Sequence, residues 1–209
     1  MDCKGASKFH ENNNFYNMYI DFLSVEAFKG RNEPFILTGC YLRILLKTKK
    51  LKFMAIQVGQ QAPDFTLRDT EKNKVTLSEQ KGKNVVLLFF PLAFTSVCTA
   101  ELCGVRDNLA FYNNTNAVVY GLSVDSLFSL GKFKEEQKLN FTLLSDFNKE
   151  VSTAYDCIYG DWFNDMKGVS KRSAFVIDKE GVVKYAEVLE NAGDVPNFEA
   201  IQQVLSTLN

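Results

Sequence analysis

A chain of 209 residues suffices for one generous domain, or one domain with an appendage, and is too short for two full-sized enzymes. Twenty-four Lys and Arg against twenty-five Asp and Glu give a net charge of −1, which leaves no cationic excess for a run of phosphates and argues against a dedicated nucleic-acid binder. The 46% hydrophobic content, with 18 Phe to fill a core, excludes wholesale disorder. No apolar run approaches the roughly 18–20 residues of a membrane span, and the polar, Asn-rich N-terminus has neither the basic tip nor the apolar stretch of a secretory leader. A reducing cytoplasm is the expected location. The five cysteines, at 3, 40, 98, 103 and 157, are odd in number and scattered, so a full disulfide framework is not expected.

Residues 1–53 differ in character from the rest. They hold nine Lys or Arg and five Asp or Glu, a net of +4, whereas residues 54–209 hold fifteen and twenty, a net of −5. The first segment carries the Asn12-Asn13-Asn14 run and the Lys47-Thr48-Lys49-Lys50 cluster, and no helical or strand period persists through it. A translation start mis-assigned upstream of Met54, a poorly ordered basic tail and an accessory element all fit, and the first is the favoured expectation. The regular domain is expected over 54–209.

Within it, Asp64-Phe65-Thr66-Leu67 and Lys74-Val75-Thr76-Leu77 are short alternating runs that predict a small hairpin. Asn84 to Phe90 is continuously apolar after its first residue and rich in Val and Leu, which suits a central strand covered on both faces. Residues 98–113 predict a helix, with Leu102, Val105, Leu109 and Tyr112 at three- or four-residue intervals. A second buried strand spans Ala117 to Val124, followed by a helix from Ser126 to Leu139 that Gly131 weakens. Thr142 to Asp146 reads as a short strand and Lys149 to Tyr155 as a helical stretch. Ser173 to Asp178 and Val182 to Val188 flank Lys179-Glu180-Gly181 as an antiparallel hairpin, and Pro196 to Leu208 closes the chain as a helix. Strands alternating with helices and ending in a hairpin imply an α/β fold, a mixed sheet between two helical layers.

The chemically informative stretch runs from Pro91 to Cys103, between a buried strand and a helix. Cys98 falls at the helix N-terminus, where unpaired N–H groups and the positive end of the dipole favour an anion, and the thiolate is the nucleophilic form of cysteine. The Thr95 hydroxyl, three residues earlier, can reach either that sulfur or an incoming oxygen. Pro91 has no N–H to donate and can shield the sulfur from water.

Pro91, Thr95 and Cys98 satisfy the P-x-x-x-T-x-x-C motif, and the chain from Met54 onward resembles the peroxiredoxins. That resemblance implies a thioredoxin-like fold and a thiol-dependent peroxidase acting on hydrogen peroxide and organic hydroperoxides, as a monomer or homodimer. It makes Cys98 the peroxidatic cysteine and gives Arg172, just before the Ser173 strand, the task of holding both thiolate and peroxide. A guanidinium suits that task because it keeps its charge and presents fixed donors to an oxygen gaining negative charge. Glu101 also matches a family position at which a carboxylate orients an Arg; Arg106 or Arg172 is then its partner, and an ordinary first-turn carboxylate is an equal alternative.

Cys103, five positions after Cys98, resembles the resolving cysteine of the Q type, the bacterioferritin-comigratory proteins, as does Cys103 to Asn108. Pro91-Leu92-Ala93-Phe94-Thr95 looks more like the one-Cys AhpE type, so the subfamily features are mixed. The implied cycle passes from a Cys98 sulfenic acid to a Cys98–Cys103 disulfide, reduced by a thioredoxin-like or other thiol. On a helix the two side chains stand about 140° and 7.5 Å apart, whereas a disulfide needs Cα atoms within roughly 7 Å, so the first turns must unwind. No metal, haem or flavin is called for, and the single His, His10, lies outside the regular domain.

Other readings stand beside these. An external thiol can resolve Cys98, or oxidation of Cys98 can switch a partner interface without turnover. A thioredoxin-like disulfide reductase fits poorly, because four residues rather than two separate Cys98 from Cys103. Cys157 is read as a core residue; Trp162 and Phe163 fit either a substrate entrance or the packing of a core or interface, and the packing reading keeps them out of the site.

Overall fold

The computed structural model describes residues 56–208. The segment 1–53, with Cys3, His10 and Cys40, lies outside the described residues. Strand β1 (Thr66–Asp69) pairs antiparallel with β2 (Lys74–Thr76), Thr66 opposite Thr76 and Arg68 opposite Lys74. The Asp69 carboxylate closes their turn by accepting the Glu71 and Asn73 N–H groups, each at 2.8 Å. Leu77 has already left the strand, opening a short 3₁₀ turn through Gln80.

Strand β3 (Asn84–Phe89) is buried along its whole length. It lies parallel to β4 (Ala117–Ser123), which lies parallel to β5 (Thr142–Ser145); on its other side β3 pairs antiparallel with β6 (Ser173–Ile177), and β6 with β7 (Val183–Val188). Among the described residues the seven strands form one mixed sheet in the order β2-β1-β5-β4-β3-β6-β7. Gly121, in the middle of β4, permits close packing: a Cβ there would stand 2.7 Å from Leu143 Cδ2 and force that side chain to shift.

Helices α1 (Ser96–Asp107), α2 (Leu109–Asn114), α3 (Leu127–Glu136), α4 (Glu150–Ala154) and α5 (Phe198–Thr207) complete the fold. Alternate residues of β3 supply two cores. Val86 and Leu88 pack with Leu102 and Val105 of α1, Leu130 and Phe133 of α3, and Ile201 and Leu205 of α5. Val85, Leu87 and Phe89 face the other way, toward Phe65, Val151 and Tyr155. The Tyr155 ring lies 5.6 Å from Phe89 and 5.1 Å from Phe175, and its hydroxyl donates to the Pro63 carbonyl at 2.9 Å. Burying each such large side chain contributes about 1.5–3 kcal/mol. This is the expected three-layer arrangement, with a mixed sheet between helical layers.

Several boundaries depart from the sequence expectation: the first hairpin strand is Thr66–Asp69 rather than 64–67, the closing helix begins at Phe198 rather than Pro196, and three further departures have a visible cause. The helix expected over 98–113 is two helices, beginning at Ser96 and broken at Asn108 (φ −109, ψ 16). The Asn108 N–H reaches back to both the Gly104 and Val105 carbonyls, a tightened last turn of the kind that ends helices, and Asn disfavours helix interiors. The helix expected over 126–139 is shorter: the Ser126 side chain caps it by accepting the Ser129 N–H, and Lys138, in the left-handed region at φ 52, lies just past its end. The strand expected from Val182 begins at Val183, beside an irregularity in register between Val176 and Ile177.

Candidate active site

Strand β3 leads into the site. Phe90 and Pro91 remain buried, and the loop then rises to Phe94, a non-glycine residue in the left-handed region at φ 64, a conformation that costs on the order of 1–3 kcal/mol. The Phe94 ring packs edge-on against Phe133 of α3, centroids 5.1 Å apart, which helps hold it there. Thr95 is extended (φ −82, ψ 149) and forms the N-cap of α1, but its hydroxyl does not cap; it donates to the Leu92 carbonyl at 3.1 Å, inside the loop. Cys98 is the third residue of α1 and only 1% exposed.

Arg172 comes to that sulfur through strand register. Phe89, the last residue of β3, pairs with Ser173, the first of β6, so the preceding Arg172 stands beside the exit of β3, where the chain turns toward α1. Its side chain, the largest of the fully buried ones, is held on three sides. Nη2 donates to Cys98 Sγ at 3.3 Å and to the Ala192 carbonyl at 3.0 Å, Nε donates to the same carbonyl at 3.3 Å, and Nη1 bonds Glu101 Oε2. Burial opposes the Arg172 charge, but the Glu101 carboxylate and the Cys98 sulfur outweigh it and raise the guanidinium above its ordinary value.

Glu101 sits three residues after Cys98, and so on the same face of α1. Of its two candidate partners the fold selects Arg172; Arg106 instead pairs with Asp107 at 2.8 Å and donates to the Gln137 carbonyl at 2.6 Å. Burial pushes the Glu101 carboxyl up to about 7, against the pull of Arg172, and Oε1 is buried with no hydrogen-bond partner.

Pro91, Thr95, Cys98 and Arg172 line one open cleft of about 450 Å³. Its remaining wall is built from Tyr159, Trp162 and Phe163 and from the segment Glu190 to Gly193 after β7. The isolated bridge between Ile158 and Ser170 carries Tyr159 back toward Arg172, and the Tyr159 hydroxyl donates to the Glu190 carbonyl at 3.0 Å. Trp162 stacks on Tyr159, centroids 6.1 Å apart, while Phe163 is 67% exposed. Trp162 and Phe163, expected to pack elsewhere, thus line the cleft, and Tyr159, which no sequence pattern singles out, joins them. The signal in the sequence is their crowding, three rings from Tyr159 to Phe163.

Cys103 lies elsewhere. Helix α1 runs unbroken through both cysteines, and Cys103 Sγ sits 3.8 Å from Gln137 Oε1, just beyond α3, outside the cleft. Cys98, Cys103 and Cys157 are all free thiols. Cys157 is wholly buried, and burial pushes its thiol well above the ordinary value, as suits the core residue expected.

Comparison with known proteins agrees with this geometry. Residues 58–186 match the AhpC/TSA family. Alkyl hydroperoxide reductase E of Mycobacterium tuberculosis is 39% identical over 156 residues, spanning 73% of this chain and 98% of the relative. Peroxiredoxin Bcp of Bacillus subtilis is 40% identical over 130 residues, 61% of this chain and 82% of the relative. Among solved structures, peroxidoxin BcpB from Mycobacterium tuberculosis matches with a TM-score of 0.66 at 27% identity, covering 74% of this chain and 99% of that one. A thioredoxin-like α/β fold with these relatives defines a thiol-dependent peroxidase. The chain belongs to the AhpC/TSA family, on its Bcp- and AhpE-like side.

The raised Glu101 carboxyl has a measurable sign. The unfolded chain loses this proton near 4.5 and the folded one near 7, so the folded state binds more protons between those values and stability falls as pH rises through that window. Urea midpoints measured from pH 4.5 to 8 should show that decline in the wild-type protein, and the Glu101→Gln variant, which cannot ionise, should lose it.

Proposed function

We propose that Cys98 is the peroxidatic nucleophile, that Arg172, Thr95 and Pro91 complete its site, and that residues 54–209 are the unit that carries the activity. The observation that carries this reading is the bond from Arg172 Nη2 to Cys98 Sγ at 3.3 Å, inside a cleft that Thr95 and Pro91 also line. The Cys98 thiolate attacks the terminal oxygen of a hydroperoxide. The O–O bond breaks, Cys98 becomes a sulfenic acid, and the departing oxygen takes up a proton as water or an alcohol. Arg172 faces both sulfur and oxygen and stabilises the charge moving between them. The Thr95 proton is committed to the Leu92 carbonyl, which leaves the hydroxyl oxygen to accept the O–H of the hydroperoxide and aim it. The aromatic wall of Tyr159, Trp162 and Phe163 gives room for an organic group as well as for hydrogen peroxide.

Resolution falls to Cys103, whose thiol displaces hydroxide from the Cys98 sulfenic acid once the first turns of α1 unwind; a thioredoxin-like dithiol then returns both sulfurs to thiols. Gly104, inside α1, supports such unwinding, since glycine weakens a helix interior by about 1 kcal/mol relative to Ala. A second reading, resolution by an external thiol, is favoured by the unbroken α1 and by Cys103 lying against Gln137 rather than in the cleft. We place the enzyme in the cytoplasm, as a monomer or homodimer; no helix among the described residues is long and apolar enough to cross a membrane.

One equivalent of hydrogen peroxide followed by peptide mass spectrometry separates these readings. A Cys98–Cys103 disulfide that disappears in both Cys98→Ser and Cys103→Ser is the expected result. A stable Cys98 sulfenic acid with Cys103 untouched selects the external thiol, and an unmodified Cys98 rejects the nucleophile assignment. Oxidation of Cys98 without multiple turnover in the presence of a dithiol would instead indicate a sensor.

Gly104→Ala probes the unwinding step, since a Cβ there meets nothing within 4 Å. It should stabilise the fold by about 0.5–1 kcal/mol and slow disulfide formation by about three- to fivefold. The rate of Cys98 oxidation should be unchanged, as stopped-flow mixing with peroxide would record.

A further inference from the structure

The loop that carries Pro91 and Thr95 is held at the sheet's edge by a residue that follows the neighbouring parallel strand and lies outside the cleft. Asp125 lies two residues beyond β4, where Asp125 Oδ2 accepts the Ala93 N–H at 2.8 Å. The same oxygen accepts the Ser123 hydroxyl at 2.8 Å, and Ser123 Oγ in turn accepts the Asp125 N–H at 3.1 Å, so the carboxylate is fixed in direction. The Asp125 carbonyl accepts the Ser145 hydroxyl at 2.6 Å, and Ser145 is the β5 residue that pairs with Ser123. Asp125 is thereby tied to the ends of two adjacent parallel strands.

We propose that Asp125 is a positioning residue for the peroxidase reaction, acting through Ala93 on the placement of Thr95, in a role that rests on the reading of Cys98 as the peroxidatic nucleophile. The strain at Phe94 explains why an anchor is needed. A non-glycine residue at φ 64 relaxes toward commoner backbone angles unless its neighbours fix it; the Thr95 hydroxyl closes the segment on the Leu92 carbonyl, and the Phe94 ring against Phe133 and the Ala93 N–H on Asp125 tie it to the rest of the fold. Releasing Ala93 lets the segment Leu92 to Thr95 rotate, which moves the Thr95 oxygen and the wall at Pro91. Cys98, Glu101 and Arg172 are held by α1, β6 and the Ala192 carbonyl, so they stay in place. The loss therefore falls on the geometry of the peroxide rather than on the sulfur. Both bonds converge on one oxygen, so the site needs an acceptor there rather than a charge, and an amide oxygen serves.

The test compares, for wild-type, Asp125→Ala, Asp125→Asn and Ser123→Ala proteins, the rate at which Cys98 reacts with hydrogen peroxide and the rate at which the same sulfur is alkylated by iodoacetamide. Asp125→Ala should lose at least about tenfold in the peroxide rate, a displacement of well under 1 Å sufficing for this, while alkylation changes less than about twofold. Asp125→Asn should recover most of the peroxide rate. If Asp125→Ala does not fold, Ser123→Ala, which removes one donor to the same oxygen, should show the same selective loss at about threefold or more. A peroxide rate at the wild-type level in these alanine variants overturns the proposal, and so does a parallel fall in both rates, which would mark a general structural effect. Failure of the wild-type Cys98 to react with peroxide would defeat the underlying reading instead.

Discussion

Burying a guanidinium is costly unless its charge is balanced and its N–H groups are satisfied, and the fold around the cleft meets both conditions for Arg172. A carboxylate from α1, a carbonyl from the segment after β7 and a sulfur from the first turn of α1 surround it, three donors for three kinds of acceptor. The assembly is mutually dependent. Glu101 without Arg172 would be an uncompensated buried carboxylate, and Cys98 would lose the guanidinium donor at its sulfur.

What brings these groups together is the antiparallel pairing of β3 with β6 in a sheet whose other central pairs are parallel. In the register observed, Phe89 opposite Ser173, the end of β3 and the start of β6 coincide, so a loop-to-helix turn from one and an arginine from the other meet at one sheet edge. The two cores packed against alternate residues of β3 fix that strand, and with it the position from which the turn departs. Rigidity of this kind suits a site that must orient a hydroperoxide group by few contacts.

Strand positions were legible because β3, β4 and β6 are buried on both faces and read as continuous apolar runs, while the β1–β2 hairpin shows alternation between turn residues. The break at Asn108 was not legible, since Leu109 and Tyr112 continue the apolar period of α1 across it and only the backbone bonds of Asn108 reveal the tightened turn. Of the site, Pro91, Thr95 and Cys98 are local in sequence and could be read as a motif. Arg172 could be singled out only through the family resemblance, which sets an arginine at the start of a strand such as the one beginning at Ser173. The choice of Arg172 over Arg106 for Glu101 depends on sheet register, which no local pattern encodes. Tyr159, Trp162 and Phe163 reach the cleft through a single bridge at Ile158 and through loop geometry, neither of which has a sequence period.

Arg172 is a fixed, multi-pronged donor rather than a charge alone. Stopped-flow measurement of Cys98 oxidation by hydrogen peroxide in the Arg172→Lys protein tests this directly. Lysine keeps the charge but has one ammonium group in place of the planar fork, so it cannot serve Cys98, Glu101 and the Ala192 carbonyl in the same geometry. A fall of about 10²–10³-fold relative to wild type is expected, the scale of losing an oriented donor at a developing charge. A lysine variant that reacts at the wild-type rate would contradict that role.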